Sequence, residues 1–498
     1  MSRRVVVRVG RAVLVAALGL SLLGAAAPSR LRDTPLEAAL RRHVETLASD
    51  DFEGREPGTE GETKTLRYLA RQWFDIGLES GTNDPGNAWF APVELVERAP
   101  LTSRAEFLRG RKRIVAGDNA AFVVTSGIRS LVENTPVLFV GRGQVVARAE
   151  LAGRIALMLD GNAAPDEEAR RGDRAGKLLD AGASAVITVL DGSRTLEQVV
   201  MRRRRAGYAL ASERLGGDIE AFITPATLGQ VAGGDVAALR HEADAPDFAP
   251  RLMGFNGTLE ATSRETRIRT HNLIGKLPGR RPADGAVLLV AHWDHFGKCA
   301  EPPAEHRICN GAIDNASGLA VVTEVARQLS RGRKLDRDVY FLATTGEELG
   351  LLGALAFAEN PPLPLDRFVA AFNVDSTGLV ARGMPVSIIG RGMTSIDGEA
   401  ARVIGQMRRK LAAGNDANAY MKRQDGWVLI QHDVPTIMVS TSYSDQARLT
   451  HFMETDYHRP SDTADKVLYG GMADDVDVQT ELVRHFADAR QYPRARIR

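Results

Sequence analysis

The feature that most constrains this chain is a series of short apolar runs in its second half, several of which close on polar residues. AVLLVA (286–291) leads into His292, Trp293, Asp294 and His295; DVYFLATT (338–345) leads into Gly346, Glu347 and Glu348; FVAAFNV (368–374) leads into Asp375. VSIIG (386–390) and PTIMVS (435–440) are further runs of this kind. Apolar runs this short, with helical patterns between them, suit strands buried on both faces. Leu319, Val322, Ala326 and Leu329 mark one such helix by their i, i+3, i+7, i+10 spacing. The expected fold class is α/β, a mostly parallel mixed sheet covered by helices on both faces.

At 498 residues the chain exceeds what one core usually serves. Two helices are expected near the start, Pro35 to Leu47 and Glu62 to Ile76, with a turn-rich stretch between them. Beyond Ala116 the texture changes to short β-like runs: PVLFVG (136–141), RIALML (154–159) and SAVITVL (184–190). A helix-like stretch ending at Gly182 lies between the last two. This block, 116–252, reads as an inserted, smaller β-rich α/β domain. It divides the main domain into residues 28–115 and 253–498.

Arg3, Arg4, Arg8 and Arg11 precede an apolar run from Ala12 to Ala27, and Pro28 follows. That layout predicts a secretory signal peptide over residues 1–27. The run falls short of the roughly 20 apolar residues a membrane span needs, so the mature form is expected to be exported, periplasmic or secreted, without a span; a retained anchor is the alternative. The two cysteines, Cys299 and Cys309, bound the stretch CAEPPAEHRIC. In an exported protein a disulfide closing that loop is the natural reading. Lys plus Arg at 64 against Asp plus Glu at 63 leaves no excess to attract nucleic acid or an anionic membrane. The basic run Arg202 to Arg205 reads as a solvated face.

Open α/β sheets bind ligands at the carboxyl ends of their strands. Besides the residues already placed there, Asp314 lies in the Gly-bounded turn GAIDNASG (311–318), and Tyr457 and His458 lie in a polar loop beyond PTIMVS. Imidazole and carboxylate together suit zinc. A hydrolytic pair of metals needs a bridging carboxylate, for which Asp314 is placed. In the adjacent pair Glu347–Glu348 one side chain can ligate while the other accepts a proton. Taken singly, a histidine at a strand end is an ordinary polar residue, Asp314 is a helix N-cap and a Glu pair is a solvated helix start. Asp375 is harder to set aside, since a carboxylate directly after an apolar strand costs free energy unless it is paired or metal-bound. Their joint occurrence at successive strand ends points to metal.

In order and local context, HWD, GAIDNASG, TGEELGLLG, NVDSTG and DYHRPSDT resemble the motif series of the co-catalytic di-zinc exopeptidases, which include secreted bacterial leucyl aminopeptidases and glutamate carboxypeptidase. The resemblance spans roughly residues 270 to 470. LASDDFEGREPGTEGETKTLRYLARQWFDIGLE resembles the family's N-terminal helical start, and the block at 116–252 resembles a protease-associated domain. The resemblance implies the zinc aminopeptidase-like fold and two Zn2+ per chain. His292 and Asp375 would hold one ion, Glu348 and His458 the other, and Asp314 would bridge them. It also implies Glu347 as general base, Asp294 as the carboxylate orienting His292, Tyr457 as a donor to the developing oxyanion, and a cis Asp314–Asn315 peptide. The implied reaction is aminopeptidase hydrolysis of a peptide substrate. A carboxypeptidase or N-acyl amidohydrolase on the same site, a glutaminyl-cyclase-like transferase and an inactive binding protein are the alternatives. Ser376 and Thr377, and Gln424-Asp425-Gly426, depart from the family pattern in places that bear on the substrate pocket rather than the metals.

Overall fold

The structure is a computed structural model. It describes residues 33–493 except 83–85, 87, 145, 162–166, 193, 204–206 and 214–215, with 167–173 described by backbone alone. The expected signal peptide, and Arg204 and Arg205 of the basic run, lie outside the described residues.

Helix α1 (Pro35–Leu47) begins with a reciprocal cap: the Thr34 side chain accepts the Glu37 N–H and the Glu37 carboxylate accepts the Thr34 N–H. Its apolar stripe buries Leu40, Val44 and Leu47. Helix α2 (Glu60–Ile76) buries Leu66, Leu69 and Trp73 and ends at Gly77, where a φ of 91° requires a residue without a Cβ.

The part of the sheet that leads to the strand-end residues includes β1 (Phe90–Arg109), β2 (Arg251–Leu277), β3 (Ala286–His292), β4 (Asp338–Thr344), β5 (Phe368–Asn373), β6 (Ser387–Ile389) and β7 (Thr436–Ser440). Their order is β6-β7-β5-β3-β4-β2, with β1 also paired to β2. The β4-β3-β5-β7 set is parallel, and β2 and β6 run antiparallel at its two sides. Alternate residues of β3 serve the two faces, as strand geometry demands. Val287, Leu289 and Ala291 pack with α1, α2, α3 (Gly318–Ser330) and the C-terminal helix Tyr469–Ala487. Leu288 and Val290 pack on the other face with Phe357, Phe368 and Leu429. Parallel register sets His292 beside Thr344 and Val290 beside Asn373, so the polar residues that follow these strands emerge at one edge.

β1 and β2 pair antiparallel over nearly their whole length and carry the sheet outward. Strand Arg129–Phe139 pairs with the far half of β2 and leads to the parallel strands Ile155–Leu159, Ala185–Val189 and Ile219–Ile223. These enclose a second core of Val137, Ile155, Leu157, Ile187 and Ala221. Ala105 and Phe107 of β1 and Phe255, Leu259 and Ala261 of β2 join it. Where the two halves meet, Leu210 packs against Val93, Leu95 and Leu352, just downstream of Glu347 and Glu348. Among the described residues, no helix is long and apolar enough to cross a membrane.

Candidate metal centre

Five loops at the carboxyl edge of the sheet bring the expected residues together. His292 Nε2 lies 3.2 Å from Asp314 Oδ1 and 3.6 Å from Asp375 Oδ1. His458 Nε2 lies 3.3 Å from the other Asp314 oxygen and 3.0 Å from Glu348 Oε2. Asp314 thus stands between two donor sets, each with one imidazole and one further carboxylate. Glu347 is set back, with its nearest oxygen 4.0 Å from His292 Nε2. His292, Asp294 and Asp314 are buried, whereas the His458 side chain is about a third exposed, so the centre opens to solvent on that side.

His292 Nε2, His458 Nε2 and Asp314 Oδ2 are buried and make no hydrogen bond, although carboxylate oxygens stand close to each nitrogen. Buried polar atoms left this way are costly unless a shared partner completes them. A cation between the donor sets is such a partner, and imidazole with carboxylate fits zinc. His292, Asp314 and Asp375 present ligand atoms within 4.8 Å of one another, as do His295, Asp314 and Glu348. His295 received no role from the sequence. Its Nδ1 lies 2.6 Å from Glu348 Oε1, which holds that carboxylate in place.

Burial and the neighbouring charges shift the titratable groups of the cluster strongly. Burial raises the Glu347 carboxyl well above its ordinary range; His292 opposes this, while Glu348 and Asp375 add to it. Burial likewise raises Asp294 to about 7. For His458 burial acts downward, but Asp314 and Glu348 outweigh it and lift the imidazole to about 9. His292 is also raised, because Glu347, Asp314 and Asp375 overcome its burial.

The supporting contacts are specific. Asp294 accepts the main-chain N–H groups of Glu347 and Glu348 at 3.1 and 3.4 Å. The His292 Nδ1 faces the Asp294 main-chain carbonyl at 3.2 Å, nearer than that residue's carboxylate at 3.9 Å. The Asp314–Asn315 peptide is cis. The Asn315 side chain ties Val374 O to the Gly318 N–H. Ser376 Oγ donates to Asp375 Oδ1 at 3.0 Å. Asp425 is buried and accepts from Thr344 Oγ1, and Gln424 turns away to Met421. The Tyr457 ring stacks on His458 with centroids 3.6 Å apart, and its hydroxyl accepts from Arg423 at 3.4 Å. Tyr443, which the sequence did not single out, is buried beside Ser376, and burial with the nearby Asp375 and Asp314 charges raises its hydroxyl. Cys299 and Cys309 form a disulfide with Cα atoms 5.7 Å apart.

A mostly parallel sheet covered on both faces, with histidines and carboxylates gathered around one shared aspartate at its strand ends, defines an α/β protein with a candidate metal centre. Residues 272–483 match Peptidase family M28. The chain is 28% identical to the alkaline phosphatase isozyme conversion protein of Escherichia coli (strain K12) over 125 residues, covering 23% of this chain and 35% of that protein. It is 32% identical to leucine aminopeptidase 1 of Trichophyton rubrum over 126 residues, covering 24% and 32%. The chain thus spans about a third of the length of each of these curated relatives. In three dimensions it is similar to an aminopeptidase from Aneurinibacillus sp. strain AM-1, with a TM-score of 0.55 and 20% identity over 91% of this chain and 93% of that one. This likeness bears on the fold.

Proposed function

We propose that the chain is a zinc-dependent aminopeptidase holding two ions, one by His292 and Asp375, the other by Glu348 and His458, with Asp314 shared between them. The observation that carries this reading is the approach of two separate imidazole nitrogens to opposite oxygens of the Asp314 carboxylate. When bound, zinc supplies Lewis-acid activation of water and of the scissile carbonyl. Glu347 takes the proton of the attacking water and delivers it to the leaving amine. Its withdrawal from the imidazoles and the burial that raises its affinity for a proton both suit that shuttle. Asp294 fixes the Glu347 main chain and sits behind His292. Tyr457, beside His458, donates to the oxygen that becomes negative as the carbonyl is attacked.

The match of residues 272–483 to Peptidase family M28 and the likeness to leucine aminopeptidase 1 support peptide-bond hydrolysis from the amino end. A panel of free and N-acetylated aminoacyl amides and dipeptides tests it. Hydrolysis of free amines alone is expected; hydrolysis of the blocked compounds would transfer the function to a carboxypeptidase or amidohydrolase. We further infer export, on the Cys299–Cys309 disulfide and the apolar run after Arg11, and an inserted domain of the protease-associated kind over about 116–252. Mass spectrometry of the exported protein should find an N-terminus near Pro28; a chain retained in the cytoplasm with Met1 intact would contradict export.

A further inference from the structure

The turn that carries Asp314 is gripped from two sides by buried charged side chains outside the proposed ligand set. Arg55 is wholly buried, with a φ of 53°, and spends its guanidinium on main-chain carbonyls. Nε donates to Trp293 O at 2.9 Å, Nη1 to Leu47 O at 2.8 Å and Asn310 O at 2.5 Å, and Nη2 to Gly311 O at 2.9 Å, with Asp314 O at 3.5 Å. On the other side Asp462, also wholly buried, accepts the Ile313 N–H at 2.9 Å and the Asp314 N–H at 3.0 Å. Between them Gly311 has a φ of 56°, and a Cβ there would lie 2.2 Å from Asp314 O and 2.7 Å from Arg55 Nη2. Burying an arginine and an aspartate costs free energy, which their hydrogen bonds to this backbone offset. The planar fork of arginine suits several carbonyls at once, which a lysine ammonium cannot match.

We propose that Arg55 and Asp462 are positioning residues that clamp the 310–314 backbone, one by its carbonyls and the other by its N–H groups, and so preset the Asp314 carboxylate before any metal arrives. The inference rests on the two-zinc reading for its purpose, whereas the clamp itself is testable without metal.

Two measurements on the full chain decide it. In zinc-free wild-type protein the Ile313 and Asp314 amides are expected to resist hydrogen exchange as well as those of β3; exchange at the rate of an open loop would overturn the clamp. In chelator-competition titrations, Arg55→Lys, which keeps the charge but loses the fork, and the near-isosteric Asp462→Asn are each expected to weaken zinc binding about tenfold or more. Because both act on one turn, the double variant should lose less than the product of the single losses. Folded variants that bind zinc as tightly as wild type would overturn the proposal. A purely structural role would lower the melting temperature and leave zinc affinity unmoved. If a variant does not fold, the wild-type exchange result decides. A wild-type chain that binds no zinc would instead refute the two-zinc reading and leave the exchange test standing.

Discussion

Asp294 holds the main chain of Glu347, its Oδ1 accepting that residue's N–H at 3.1 Å. The contact fixes the frame from which Glu347 and Glu348 diverge, the first set back from the imidazoles and the second within 3.0 Å of His458. If Glu347 carries the proton and does not bind metal, Glu347→Gln should retain zinc and lose at least about a hundredfold in kcat. Metal analysis beside steady-state kinetics checks this, and near-normal turnover would rule out Glu347 as the base.

Removing the support from beneath the pair should act on the metal. Asp294→Ala leaves the Glu347 and Glu348 N–H groups without their acceptor, and zinc affinity is expected to fall about 10- to 100-fold, the usual effect of losing such a partner. Competition with a chelator measures it. Unchanged affinity would contradict the support role.

Zinc should matter more to stability as pH rises. Burial raises Asp294 and Asp462 to about 7, and His458 reaches about 9 because Asp314 and Glu348 overcome its burial. In each case the folded chain keeps its proton to a higher pH than the unfolded chain, so these groups favour folding most at low pH. Their contribution falls from about pH 4 to 7 for the two carboxyls and from about pH 6.5 to 9 for the imidazole. Bound zinc, which requires deprotonated ligands, gains over the same span. The melting temperatures of chelated and zinc-loaded protein should therefore diverge from pH 5 to pH 9, as scanning fluorimetry would read. A gap that stays constant would refute this electrostatic account.

The disulfide closes a loop with a sequence separation of 10 that ends immediately before Asn310, whose carbonyl is held by Arg55. Reduction is expected to cost about 2 to 3 kcal/mol by loop-closure entropy. Thermal melts with and without reductant would measure the loss, and equal thiol titration in both conditions would mean that the bridge is absent.

Much of the centre was legible because its frame is local. Apolar runs of strand length ended at His292, Glu347 and Asp375, and parallel register turned those sequence ends into one spatial edge. What escaped depends on distant partners. Apart from Leu47 O, the carbonyls that Arg55 bonds lie more than 230 residues away, and Asp462 bonds N–H groups 148 and 149 residues away, so the clamp has no local signature. His295 stood in plain sight beside His292, yet only its contact with Glu348 gives it a role. The long strands β1 and β2 carry many exposed charged residues among their buried ones, such as Glu94 between Val93 and Leu95. Their texture therefore did not reveal that both cores share them.

The most direct measurement is anomalous diffraction at the zinc edge from crystals of the purified, unchelated chain. The account predicts two peaks about 3.5 to 4 Å apart, one beside each oxygen of Asp314. A single peak, or none, would contradict it.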